Sequence, residues 1–325
     1  MKKNFSPFWK RFYHPKPPTQ INQSSLGMSM IELLVGTVIA FIIITPLMAF
    51  VVNTLNDDQR EEAKAVTDKE IQSALEFITE DLSEALYIYD KAGIQAIATN
   101  QLIPAKSATQ IPILVFWKRQ VVRNEIPIGN PLPDCETNPE KCDDTFILSL
   151  VAYYLRTDAD PIWCPNNTDD EKCPARITRF QLKGGGRTIA GVPFPRPDTG
   201  FPTSVDLRNP NTITPSAAID TRQYVLINFI DRTTIADGAP PLVAAQCTTA
   251  LNNSTTAAFT VVVDPVDPDS YSSFSACVDS TNNIAQITIR GNALRRFQEN
   301  TKYSSGSAYF PSSSILVKGI GKVGN

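Results

Sequence analysis

Glu32 is the side chain whose placement could do the most. It is the one ionisable group in the apolar stretch 30–52, and residues 33–52 are twenty positions without a charge. Twenty such residues cross a hydrocarbon core of about 30 Å as a single helix. A carboxylate at the head of such a helix is costly unless it is paired. The chemistry it offers is therefore an ion pair with a cationic partner, and the residue reads first as functional.

Other chemistries find fewer residues. The one histidine, His14, lies within the first 27 residues, so residues 28–325 offer neither a Ser-His-Asp nor a Cys-His arrangement. Paired carboxylates could support glycoside hydrolysis, but the sequence does not set two of them at a working separation. Catalysis is not expected. Six cysteines, Cys135, Cys142, Cys164, Cys173, Cys247 and Cys277, all lie beyond the apolar stretch. An even count beyond a membrane anchor points to disulfides. Pairing in chain order is expected, because Cys135 with Cys142 and Cys164 with Cys173 each close a short polar loop. With no Cys-x-x-Cys pair, a zinc site of the Cys/His kind is not expected. Asp264, Asp267 and Asp269 set three carboxylates in a turn-rich segment, the donor type that calcium takes, although an acidic proline-rich turn explains them as well. Gly184, Gly185 and Gly186 lack the lysine and serine of a phosphate loop and read as a turn. Lys118, Arg119, Arg123, Arg290, Arg295 and Arg296 would make a basic patch only if their strands adjoined.

Residues 1–27 hold five cations and no acid, so with the chain at −3 the remainder carries −8. Nucleic-acid binding is not expected of such a chain. Positive charge before the apolar stretch keeps the amino end cytoplasmic and sends the rest outward.

A helix that positions Glu32 must run on past the membrane. Val66, Ile71, Ala74, Leu75, Ile78, Leu82, Ala85, Leu86 and Tyr89 recur at helical spacing, with Glu76, Glu80, Asp81 and Glu84 on the opposite, acidic face. The pattern predicts one helix over 28–89, bent if Pro46 disrupts it, and stopped by Asp90-Lys91-Ala92-Gly93. The period then changes toward two. Strands are expected at 111–122, 145–156, 176–182, 223–230, 259–263, 274–278 and 284–290, with a short helix or turn at 294–299. One long helix and then a run of strands argues an α+β unit, its antiparallel sheet packed on the helix. The connections 191–221 and 236–257 are long enough to be functional or mobile, and the serine-rich tail from Tyr303 reads as flexible.

Gly27-Met28-Ser29-Met30-Ile31-Glu32, ahead of the apolar run, resembles the signal of type IV pilins and type II secretion pseudopilins. Met28 in place of phenylalanine, and Ser24-Ser25-Leu26 in place of basic residues, depart from that pattern. The segments 57–65, 70–78 and 85–90 are similar to the larger minor pilins of the W type and to J-type pseudopilins. Within these, the resemblance is greatest to the pseudopilin of cyanobacterial hormogonium polysaccharide secretion. It is strong over 26–90 and weak beyond.

The resemblance implies a leader, 1–27, removed after Gly27 by a prepilin peptidase. It further implies methylation of Met28, and Glu32 as the carboxylate that docks onto a neighbouring subunit. The organisation expected is leader, helix over 28–90 with a transmembrane part at 31–52, and a sheet domain over 91–325. The chain would sit in the inner membrane with its bulk periplasmic or extracellular, and pass into a fibre. Its partners would be other pilins or pseudopilins, the assembly platform and, for cargo, polysaccharide. An anchored carbohydrate-binding module outside any fibre is the alternative.

Overall fold

The computed structural model describes residues 29–165, 168–252, 254–260 and 270–321. By its internal contacts the chain divides into two units, residues 1–55 and 56–325, and helix α1, Met30–Ser83, contributes to both. In the first unit every described residue is exposed. In the second, Ala63, Thr67, Ile71, Ala74, Leu75, Ile78, Asp81 and Leu82 are buried, a stripe at spacings of three and four that turns one helix face inward.

That face lies in a core shared with two antiparallel sheets. The larger has the order β1–β2–β3–β4–β7: Ala85–Ile88, Gln110–Pro127, Cys142–Arg156, Ala175–Lys183 and Tyr224–Ile230. The smaller has the order β11–β10–β9–β8: Ser312–Lys318, Ile284–Arg290, Phe274–Asp279 and Ala258–Phe259. A separate hairpin pairs β5, Arg187–Ile189, with β6, Val192–Phe194.

Period two sorts the central strand. Val151, Tyr153 and Leu155 of β3 face α1 and the second sheet, while Leu150, Ala152 and Tyr154 face the other side. The second face is covered by α2, Lys91–Thr99, and by Phe201, Val205, Leu207, Ile213 and Ile219 of the proline-rich connection. Tyr89 pins that cover: its hydroxyl donates to the Pro210 carbonyl at 2.8 Å and accepts from Trp117 Nε1 at 2.9 Å. Both groups are thereby satisfied in a dry site.

The small sheet holds the large one at both margins. On one side the Ile88 amide donates to Asn283 Oδ1 at 2.9 Å, and Asn283 Nδ2 donates to the Ala85 carbonyl at 2.8 Å. On the other, Ile230 bridges Gly291, and the Asn292 amide donates to the Phe229 carbonyl at 2.8 Å. Phe229 reaches that geometry at φ 58°, an uncommon place for a bulky residue. The β9–β10 turn is fixed by Asp279. Burial pushes its carboxyl up, but donors from Ser254, Asn282 and Thr256 more than reverse this and bring it to about 2.

The α+β class and the sheet-on-helix packing agree with the sequence reading; several boundaries differ. Helix α1 ends at Ser83, because Ala85, Leu86, Tyr87 and Ile88 instead pair with the free edge of β2. Asp90-Lys91-Ala92-Gly93 starts a helix rather than stopping one: Asp90 accepts from the Gly93 amide at 2.8 Å, an N-cap. The tail from Tyr303 includes β11, paired with β10 along its length. The segment expected at 294–299 is a single 3-10 turn, Ala293–Arg296. The strand expected at 259–263 begins as β8, Ala258–Phe259, and residues 261–263 lie outside the described residues.

Gly291 marks the closest approach of helix and sheet. A Cβ there would sit 2.6 Å from Thr67 Cγ2 and 2.9 Å from Ile71 Cδ1. Gly291→Val should lower stability by about 1–3 kcal/mol through overpacking. Urea unfolding of the full chain in detergent, monitored by tryptophan fluorescence, measures this; an unchanged midpoint would refute the contact.

Candidate functional site

Two features of α1 stand out chemically, one in each unit. The first is the apolar segment around Glu32. Its large side chains face outward, Met30, Phe41 and Ile42 among them, with Phe41 72% exposed. By length and composition it is the one helix among the described residues able to cross a membrane. Its length and composition are those of a single-pass anchor.

Within that segment the threonines are satisfied locally. Thr37 Oγ1 donates to the Leu34 carbonyl and Thr45 Oγ1 to the Phe41 carbonyl, both at 2.8 Å. Glu32 is different: its side chain has no hydrogen-bond or ion-pair partner among the described residues. It lies in the first turn, where the helix dipole favours negative charge. Pro46 removes one amide from the ladder, and the helix continues through it. Gly27 and Met28 lie outside the described residues, as does the whole leader.

The second feature is Asp81, buried where α1 meets three strands. Lys118 of β2 reaches Oδ1 at 2.9 Å, the Tyr153 hydroxyl of β3 reaches Oδ2 at 2.5 Å, and Arg179 of β4 takes both oxygens at 2.7 and 3.2 Å. Lys118 also meets Glu84 at 2.9 Å. Burial pushes the Asp81 carboxyl up, but Arg179, Tyr153 and Lys118 more than reverse this and hold it below the ordinary carboxylate range. Burial, with the Asp81 charge, drives the Tyr153 hydroxyl well upward. At the centre of the cluster, Asp81 and Lys118 are buried. Its work is to lock the helix to the sheet.

A second lock lies a few turns earlier. Arg296 donates to Thr67 Oγ1 at 3.0 Å, pairs with Glu70 at 2.5 Å, and stacks its guanidinium 4.2 Å from the centre of the Phe229 ring. The expectation that Asp81 belongs to a solvated acidic face is overturned, because its three donors draw it inward. The signal that could have placed it there is a lone lysine in the apolar run of β2 and an arginine at an inward position of β4.

The cysteines pair in chain order. Cys135–Cys142 closes the loop ahead of β3, Cys164–Cys173 closes the loop between β3 and β4, and Cys247–Cys277 ties α3, Ala244–Ala250, to β9. Asp264, Asp267 and Asp269, the calcium candidates, lie outside the described residues. Among the described residues no group of three His, Cys, Asp or Glu side chains is placed to hold a metal. Four of the six cations are engaged elsewhere: Arg290 is spent on Asp231 at 3.0 Å, Lys118 on Asp81, Arg296 on Glu70, and Arg119 lies over the Phe146 ring. Gly184–Gly186 leads into the β5–β6 hairpin, and the Gly186 amide donates to the Pro195 carbonyl at 3.1 Å.

Asp81→Asn should cost about 3–5 kcal/mol near neutral pH, because Arg179 and Lys118 lose a buried counter-charge. Since the folded carboxyl titrates below the unfolded one, its contribution is complete above about pH 4 and is lost as pH falls through the folded value. The gap between wild type and variant should therefore narrow in acid. Unfolding midpoints across about pH 2 to 7 test this, and a gap independent of pH would contradict it. Compared with family models, curated proteins and solved structures, the chain matches none.

Proposed function

We propose that this chain is a minor pilin-like subunit, a structural component of a type IV pilus or of a secretion fibre of the type II kind. The observation that carries the reading is Glu32: a carboxylate without a partner among the described residues, on an exposed apolar helix, with a disulfide-stapled α+β domain beyond it. A lone ion on a lipid-facing helix is poorly solvated, and a neighbouring subunit offset along a fibre relieves that cost by presenting an amine.

In this reading the leader is removed after Gly27 on the cytoplasmic face of the inner membrane, and Met28 becomes the methylated terminus. Its ammonium pairs with Glu32 of the adjacent subunit. The apolar half of α1 forms the fibre core, while the sheet domain, stapled by three disulfides suited to an oxidising compartment, faces sibling subunits and cargo. Polysaccharide secretion and gliding motility are the processes to which the resemblance over 26–90 points.

Intact mass of the membrane-extracted protein, co-expressed with a prepilin peptidase, tests this directly. A chain beginning at Met28 with one added methyl group is expected, and Gly27→Ala should abolish it. A chain still beginning at Met1 beside an active peptidase would overturn the fibre reading and favour an anchored carbohydrate-binding module. Glu32→Ala should leave membrane insertion intact yet reduce incorporation into sheared fibres; equal incorporation would remove Glu32 from the docking role.

A further inference from the structure

The sheet domain contains a cavity of about 400 Å³ between the disulfide loop that precedes β4, the segment after β7 and the segment after β10. Arg232 and Arg295 both line it. One edge of each guanidinium is held by backbone carbonyls: Arg232 Nη1 donates to Thr157 at 2.9 Å and Cys173 at 3.4 Å, and Arg295 Nη1 donates to Glu171 at 3.0 Å, Lys172 at 3.1 Å and Cys173 at 3.4 Å. These carbonyls are neutral. Neither arginine forms an ion pair among the described residues, in contrast to Arg156, Arg176, Arg179, Arg290 and Arg296.

The two cations act on each other. Burial first, and then the Arg232 charge, push Arg295 below its usual range, while Asp231 and Glu299 act in the opposite direction. Asp231 is already committed to Arg290 at 3.0 Å and to the Thr233 hydroxyl at 2.7 Å. Arg295 Nε is buried and has no acceptor among the described residues. A buried donor left this way calls for an explanation, and an acceptor anion is one. Two guanidiniums facing one space match the planar, bidentate demand of a carboxylate or sulfate.

The rest of the lining suits more than a bare ion. Thr234, Asn300 and Thr301 offer hydroxyl and amide groups, Tyr271 offers a ring, and Lys302 stands at the rim on Asp237 at 2.6 Å. The volume falls within the range of about 300–1,000 Å³ typical of sites for small organic ligands. We propose that this cavity binds an acidic sugar unit, with its carboxylate or sulfate seated between Arg232 and Arg295 and its hydroxyls meeting Thr234, Asn300 and Thr301. The site does not depend on the fibre reading, since an anchored domain outside any fibre would hold the same ligand.

Calorimetric titration of the full chain in nonionic detergent, with sodium glucuronate as probe and sodium sulfate and glucose alongside, tests the assignment. One glucuronate per chain is expected, weakened at high salt, with glucose at least about tenfold weaker. Arg295→Gln should weaken glucuronate about tenfold or more. Because that substitution also frees the carbonyls of the 164–173 loop, Lys302→Glu provides the second variant. It alters an exposed rim residue, leaves those carbonyl contacts in place, and should weaken glucuronate several-fold. No glucuronate heat would overturn the proposal, as would sulfate binding without glucuronate, glucose binding equal to glucuronate, or affinity unchanged in both variants.

Discussion

Asp81 carries a negative charge into the space between α1 and the large sheet, and three adjacent strands each send it a donor. Lys118, Tyr153 and Arg179 come from β2, β3 and β4, so the carboxylate is read in both directions of the sheet plane. A helix turns about 100° per residue, so a one-residue slip would swing the carboxylate away and leave Arg179 without its counter-ion. Leaving a buried cation unpaired in this way costs about 3–5 kcal/mol. Ile71, Ala74, Leu75, Ile78 and Leu82 supply the adhesion of the helix; Asp81 supplies its address.

The same economy governs the sheet margins. Exposed strand edges invite unwanted pairing, and each margin of the large sheet is taken up by the smaller one, through Asn283 beside β1 and through Gly291 and Asn292 beside β7. Arg296 reinforces the second closure by lying between the Phe229 ring and Glu70 of the helix. Phe229 holds its left-handed backbone because the surrounding contacts determine it.

Much of this fold is legible in the chain, and particular residues show where legibility ends. The β-branched and aromatic runs mark six of the strands, 284–290 at its observed bounds, and segments such as 145–156 show as near-continuous apolar runs bounded by turns. The end of α1 is not legible, because Ala85, Leu86 and Tyr89 satisfy a helical spacing as readily as a strand, and only the free edge of β2 decides between them. The Ser312–Lys318 strand is hidden by its polarity: its serines carry no apolar period while the backbone does the pairing. The proline-rich connection looks loose because its apolar residues are sparse and aperiodic, yet five of them cover a sheet face. For the candidate site, Glu32 is visible as a charge within an apolar run. Asp81 is masked by acidic neighbours, and the Arg232–Arg295 pair by the long stretch of chain between its members.

The position of β11 has a consequence for the order of events in the cell. The last strand pairs with β10, and just beyond it the amides of Gly319 and Gly321 donate to the carbonyls of Asn283 and Ala85 at 2.9 and 3.2 Å. Ala85 comes directly after helix α1, so the first part of the domain to be made is completed by the last. Until β11 has been made, an edge of β10 stays open, and long-range pairings of this kind form slowly. Folding of this domain is thus tied to its carboxyl end, and a chain halted short of β11 would present a bare strand edge to its neighbours.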